Sequence, residues 1–451
     1  MSLYEHAFRR VLYPAYEAAR GRHTLRYLGE YEADQWRSPE QIAGIQFGRL
    51  KDLVTHCWND VPFYRARWRS IGFEPGDLKS MQDYARLPVL TKADIRSHFD
   101  DLHARSLRAG LLYKATGGST GEPLRFGYTR ESNDRRSAVM WRGYGWTGAR
   151  PGRRTLFLWG GAVGDPGRGA QLKERLYHAA FHRRMLNSFL MRDDNMAAYA
   201  DAIAAYRPEV IVAYVDPVYR LSKWLLEHGR SIPGVVSVLG AAEALHDFQR
   251  PVIEAAFPGA KAYNTYGCRE FMLVACEAED REGLLVNADH LVVELLDPTR
   301  ADNGNETGEL AITDLYNLGM PFIRYVNGDI ASRNGPWDAA GRRGLPRLGR
   351  IDGRRLDAIR TPDGRVLPGE FFPHMLKDVA GVRRFQVVQD SLERFTLRIV
   401  PGPGFGDAQE AYVRREVSKV LGDDASLDLQ RVDDIPLTAS GKFRVTVSRL
   451  P

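Results

Sequence analysis

The period of the apolar positions changes along this chain, and each change marks a different kind of structure. Over residues 1–60, aromatic and aliphatic residues recur at mixed three- and four-residue spacing, which predicts helices. Met1 to Arg20 alternates apolar and charged residues with no continuous apolar core, so it reads as an amphipathic helix and not as a signal peptide. Pro62, Gly72 and Pro75 break the pattern, and Thr91 is placed to cap a helix starting at Lys92.

Between 150 and 300 the rhythm alternates. Strands are predicted at Arg154–Trp159, Val210–Val215, Val235–Leu239 and Lys261–Thr265. Helices fall between them at Asn195–Tyr206, Pro217–Gly229 and Asp247–Phe257. Continuously apolar strands separated by helices imply a parallel sheet covered on both faces. Asp289–Leu296 and Glu309–Asp314 look antiparallel instead. Near Leu348–Gly353 the rhythm changes again. Two strands, Arg384–Gln389 and Phe395–Val400, and a helix, Asp407–Leu421, predict a small α+β unit. The expected fold class is therefore α/β: a large composite lobe over 1–351 and a small C-terminal domain over 352–451.

Composition narrows the class. With 451 residues the chain can bury a large core without disulfides. At 44% apolar and 27% charged it is neither disordered as a whole nor a membrane protein, and Val210–Val215 is far short of a membrane span. The net charge of +6 divides as +2 over 353–451 and +4 over the rest, so no basic lobe points to nucleic acid. Cys57, Cys268 and Cys276 form no CxxC pair, and a reducing cytoplasm is the expected location.

Five segments carry possible chemistry. Thr116-Gly-Gly-Ser-Thr-Gly121 offers backbone N–H groups and hydroxyls (Thr116, Ser119, Thr120) that suit a phosphate chain, although it is not a Walker loop. Tyr266-Gly267-Cys-Arg269-Glu270 follows a strand, where ligands of parallel sheets bind; Tyr266 could stack on a base and Glu270 hold magnesium. Asp329, after Asn-Gly, could take both hydroxyls of a ribose. Arg350 offers a fork of donors, and Asp352 beside Gly353 could absorb a rotation. Lys442 on a glycine turn could deliver a cation. Taken singly, each reads more readily as an ordinary turn, hairpin, linker or solvated tail.

In this order and spacing, the five segments resemble the adenylate-forming superfamily of acyl-CoA synthetases. The likeness is to the phenylacetate–CoA ligase branch, which includes capsule-biosynthesis-associated members, and it covers roughly 85–451. The chain departs from the family pattern at Leu124 and Arg269. The resemblance implies an acid–thiol ligase with ATP and Mg2+ as cofactors. It would form an acyl-adenylate and pyrophosphate, then pass the acyl group to coenzyme A or the phosphopantetheine of a carrier protein. Thr116, Ser119, Thr120 and Gly121 would hold the phosphates and Glu270 the magnesium. Gly240-Ala241-Ala242-Glu243 would lie against adenine, with Tyr266 stacking at the Gly267 turn. Asp329 and Arg350 would bind ribose, Lys442 would bridge carboxylate and α-phosphate, and the small mobile domain would turn about Asp352. Trp141, Tyr144, Trp146, Tyr214 and Arg269, with Ala241, are candidates for the pocket of an aryl or aryl-like acid. Transfer to an amine, or nucleotide binding without catalysis, are the competing readings. A homodimer is compatible with the branch; nucleic acid and membrane partners are not expected.

Overall fold

The computed structural model describes all residues except 1–2, 116–123, 161–175, 301–303, 334, 336–341, 355–358, 363–365, 368–371, 373–375, 377–378, 423–424, 437–442 and 451. An eight-stranded sheet forms its centre. Five strands, Arg183–Asn187, Thr155–Trp159, Val210–Tyr214, Ser237–Ala241 and Lys261–Tyr266, run parallel in that spatial order. Ala275–Glu277, Leu284–Val286 and Arg347–Leu348 then extend it antiparallel. All five residues of Val210–Tyr214 and of Ser237–Ala241 are buried, which is why these strands read as unbroken apolar runs. Helices Met196–Tyr206, Val215–Glu227 and Gln249–Ala256 fall between successive strands as the sequence predicts.

A second sheet of four antiparallel strands is formed by Leu291–Arg300, Glu306–Asp314, Tyr325–Arg333 and Ile351–Arg354. Tyr325–Arg333 continues past Asn327-Gly328, where the sequence suggests a hairpin turn, but it bulges there: Val326 faces Ala311, Ile330 faces Glu309, and Gly328 between them takes φ +86°. A third sheet of four strands contains Val382–Gln389 and Arg394–Pro401, with helix Asp407–Leu421 packed over it.

The N-terminal segment is helical as expected. Leu3–Ala7 and Tyr13–Arg20 are joined by a π-helical turn, Phe8–Leu12. Thr91 caps helix Lys92–Ser97 in a capping box with Asp94. Helix Pro39–Asp60 ends just before Pro62, where the sequence predicts a break, and Pro62 opens the next helix, Pro62–Arg69, because its missing N–H is one of the unsatisfied donors of a first turn.

Helix Arg130–Trp146 is buried nearly all round, including Ser132, Asp134, Arg136 and Arg142, so it shows no apolar stripe. Its aromatics serve the interior. Trp141 packs with Tyr27 and Tyr31, Trp146 donates to Gln35 Oε1 at 2.7 Å, and Tyr144 lies in the main core. Trp141, Tyr144 and Trp146, expected to line a substrate pocket, thus pack within the interior in this structure. Arg142 pairs with Asp289, Nη2 to Oδ1 at 2.7 Å, with both side chains 1% exposed. No described helix is long and apolar enough to cross a membrane.

Candidate active site

The parallel strands Val210–Tyr214, Ser237–Ala241 and Lys261–Tyr266 end at one edge, with Tyr214 level with Ala241 and Gly240 level with Asn264. Gly240 is required by packing, since a Cβ there would lie 2.9 Å from Val215 Cγ2. Ala242 turns away with φ +68°, a strained conformation of the kind found at binding sites. Glu243 follows, and its carboxylate is already engaged. Oε2 accepts from the Asp216 backbone N–H at 2.7 Å, in the first turn of helix Val215–Glu227, and Oε1 accepts from Phe443 N–H at 3.2 Å. Glu243 therefore anchors backbone donors, a role its expected place against adenine does not include. Tyr214 meets Trp159, from the neighbouring strand, ring to ring at 4.7 Å. Of the proposed pocket residues, Tyr214 and Ala241 are the ones at this edge.

Beside them, Tyr266 and Asp329 are joined although 63 residues apart: the Tyr266 hydroxyl donates to Asp329 Oδ2 at 2.8 Å. Asn327 locks the pair. Its Nδ2 donates to Tyr266 Oη at 2.9 Å and to Asp329 Oδ2 at 2.7 Å, while its Oδ1 accepts from Asp329 N–H at 3.0 Å. Burial, and then the Asp329 charge, hold the Tyr266 phenol far above its ordinary pKa, so it remains a donor. Two residues earlier on the same strand, Tyr325 donates to Glu270 Oε1 at 3.1 Å. Burial and the Glu270 carboxylate raise the Tyr325 pKa as well.

Gly267 makes the turn between Tyr266 and Glu270. A Cβ would sit 1.9 Å from Met272 O, because Met272 N–H closes back on Cys268 O at 2.7 Å. No other residue fits there without moving the backbone. Arg269 points along the surface, donating from Nη1 to Ala115 O at 2.7 Å. That carbonyl ends the first strand of a hairpin, Leu112–Ala115 with Arg125–Tyr128, whose connection contains the 116–123 loop. Arg136, 2% exposed, supports this turn from below by donating to Arg269 O at 2.6 Å.

Arg350 is exposed; its N–H donates to Ser332 Oγ at 3.0 Å and its carbonyl accepts from Ser332 N–H at 2.8 Å. In the pairing of Tyr325–Arg333 with Ile351–Arg354, Gly353 faces Ile330 and Ile351 faces Ala331. Asp352 is thus the extra residue of a bulge. Thr116, Ser119, Thr120, Gly121 and Lys442 lie outside the described residues. Phe443, next to Lys442, is described. It touches Glu243 through its N–H, and its ring lies 4.3 Å from the Arg384 guanidinium, which in turn pairs with Asp216 at 3.0 Å.

Sequence reasoning missed Asn327 and Tyr325. No periodicity points to them, because the strand bulges between Val326 and Ile330 and the alternation of faces does not carry across that bulge. Sequence reasoning also missed Trp159, Lys114 and Arg136, for which no motif exists. As to metal, magnesium is ordinarily held by one or two carboxylates plus substrate phosphates. A lone, largely buried Glu270 steadied through one oxygen by Tyr325 fits that demand. No cluster of three or more His, Cys, Asp or Glu ligands exists among the described residues.

Residues 359–449 match the CapK C-terminal domain family. The chain is 28% identical over 345 residues to phenylacetate–coenzyme A ligase of Aromatoleum evansii, covering 73% of this chain and 74% of that one. It is 26% identical over 398 residues to the enzyme of the same name from Thermus thermophilus, covering 85% of each. Among solved structures, it resembles 2-hydroxyisobutyryl-CoA ligase in a postadenylation state with a bound adenylate, at TM-score 0.72 and 22% identity, covering 92% of this chain and 91% of that one.

Proposed function

We infer the activity from kinship and site together: the chain is an adenylate-forming protein of the phenylacetate–CoA-ligase-like kind, and its enzymatic class is acid–thiol ligase. The observation that carries the reading is the Tyr266–Asn327–Asp329 lock at the carboxyl edge of the parallel sheet, with Glu270 beside it. It joins two elements far apart in sequence, the Tyr266 turn and Asp329, at one place.

The substrate carboxylate is ionised at neutral pH, so its attack on the α-phosphate of ATP needs no general base. Catalysis then rests on in-line positioning and charge neutralisation. In this reading Asp329, kept in place by Tyr266 and Asn327, accepts from the ribose hydroxyls, with Arg350 nearby. The Gly240–Glu243 turn forms the wall against adenine. Thr116, Ser119, Thr120 and Gly121 cradle the phosphates. Glu270 would hold magnesium, which supplies charge neutralisation to the phosphate oxygens. Lys442 neutralises charge between carboxylate and α-phosphate. The acyl-adenylate is then opened by a thiol, for which coenzyme A is the first choice and a carrier-protein phosphopantetheine the second; AMP leaves. The small C-terminal domain, 352–451, turns about Asp352 between the two half-reactions. The Trp159–Tyr214 pair makes an aryl or aryl-like acid the preferred substrate.

ATP–pyrophosphate exchange over a panel of carboxylic acids tests the reading. An acid that supports exchange identifies the substrate class. Lys442→Ala should then lower exchange by about 10²–10³. Intact exchange in Lys442→Ala for every acid would rule out the catalytic assignment.

A further inference from the structure

The 116–123 loop carries no lysine or arginine and does carry Glu122. Read as a phosphate cradle, it supplies neutral donors and one negative charge to a tail bearing several. Cations for that tail must come from outside the loop.

Two stand at its base. Lys114 is two residues before Thr116, on the hairpin face that also carries buried Phe126 and Tyr128. Its ammonium lies 5.0 Å from the centre of the Tyr128 ring. The Arg136 guanidinium approaches the same ring, also at 5.0 Å. Arg269 is fastened by one N–H to the Ala115 carbonyl. Lys114 and Arg269 are both exposed, and among the described residues neither forms an ion pair. Arg136 Nε and Nη1 are buried without an acceptor among those residues. Arg136 faces the buried Asp314 and Glu270 carboxylates and Arg22 is bonded to Asp134, so the charges left for an arriving anion to neutralise are those of Lys114 and Arg269.

We propose that Lys114 and Arg269 form a two-cation clamp that binds the polyphosphate tail of ATP, taking the place of the charge the loop itself lacks. The inference rests on the adenylation reading and goes beyond it in assigning Lys114, outside the family motifs, and Arg269, a departure from the family pattern within one. Arg136 is a positioning residue: it fixes the Arg269 backbone and adds to the local positive potential. The charged state of Lys114 is consistent with a site waiting for an anion. Partial desolvation of its ammonium beside the Tyr128 ring, with the neighbouring charges of Arg136, Arg269 and Arg22, brings its pKa down to about 8 although the residue as a whole is exposed. The groups facing it are those three arginines and the Tyr128 ring. An arriving phosphate favours the protonated form, so affinity should fall as pH rises through that value.

The test measures dissociation constants of ATP and of AMP, by calorimetry, for the full chain and for Lys114→Gln, Lys114→Arg and Arg269→Gln. AMP lacks the tail and serves as the internal reference. The clamp predicts that Lys114→Gln and Arg269→Gln each weaken ATP by about tenfold or more while AMP is unchanged. Lys114→Arg should retain affinity. ATP affinity of the wild type should decline between about pH 7 and about pH 9.5, across the Lys114 pKa of about 8, and Lys114→Arg should abolish that decline. Equal weakening of ATP and AMP, or none, overturns the clamp. A rise in KM for the acid with ATP binding unchanged also overturns it, since the cations then hold the acid's carboxylate. If the wild type binds neither nucleotide, the adenylation reading itself fails, which is a distinguishable result.

Discussion

Asn327→Asp is the sharpest probe of the site, because it changes the charge while hardly changing the shape. In the wild type, Asn327 Nδ2 lies 2.7 Å from Asp329 Oδ2 and donates to it. The substitution replaces that donor by a carboxylate oxygen. Two unit charges 2.7 Å apart repel by about 6 kcal/mol at an effective dielectric constant of about 20. A cheaper course exists. Keeping one carboxyl with an ordinary pKa near 4 protonated at pH 7 costs about 1.4 kcal/mol per unit, or about 4 kcal/mol. Protonation costs less than repulsion, so the folded variant takes up a proton and is destabilised by about 4 kcal/mol at pH 7.

The sign follows. The introduced carboxyl has a folded pKa above its unfolded value, so the folded state binds more protons. The deficit should shrink as pH falls, by about 1.4 kcal/mol per unit, and be nearly gone by about pH 4.5. Asn327→Ala removes the same bonds without adding charge; its loss, about 2–4 kcal/mol for three bonds of which one is to a charged group, should not vary with pH. Urea titrations of both variants between about pH 5 and about pH 8 measure the difference. Equal, pH-independent deficits would refute the placement of Asn327 between Tyr266 and Asp329.

Other predictions follow from single contacts. Gly267→Ala puts a Cβ 1.9 Å from Met272 O and should displace Glu270, abolishing pyrophosphate exchange more completely than it lowers thermal stability. Asp289→Ala leaves Arg142 charged and buried, and should cost about 3–5 kcal/mol in urea denaturation. Asp352→Pro stiffens the bulged residue of its strand and should slow thioester formation while sparing pyrophosphate exchange, measured as two separate half-reactions; equal slowing of both would count against the rotation.

The legible parts of this chain were those where one period and one environment agreed. The buried parallel strands, the helix Asp407–Leu421 and the strands Val382–Gln389 and Arg394–Pro401 fall where the pattern put them, because strands with both faces covered are apolar throughout and the helix is bounded by Gly406 and Gly422. Helix Arg130–Trp146 was hidden because it buries polar side chains against partners distant in sequence, such as Asp289 for Arg142. Strand Tyr325–Arg333 was hidden by Asn-Gly, a local turn signal that here makes a bulge, while the residues on either side of it pair with Glu306–Asp314. The site divides in the same way. Tyr266 and Asp329 belong to motifs and could be named. Asn327 and Tyr325 act only through side chains that the fold brings to them.

Glu243 has a consequence for substrate choice. Its two carboxylate oxygens serve different parts of the molecule: one steadies the helix that starts beside Tyr214, the other receives the backbone next to Lys442. Ala241, two residues before it, is level with Tyr214 at the edge of the sheet. The wall that a bound acid would press on is therefore continuous with the latch that receives the C-terminal segment. A poorly fitting acid that shifts this turn disturbs the latch as well, so selectivity can be exercised as failure to close, seen in turnover, and not only as weak binding.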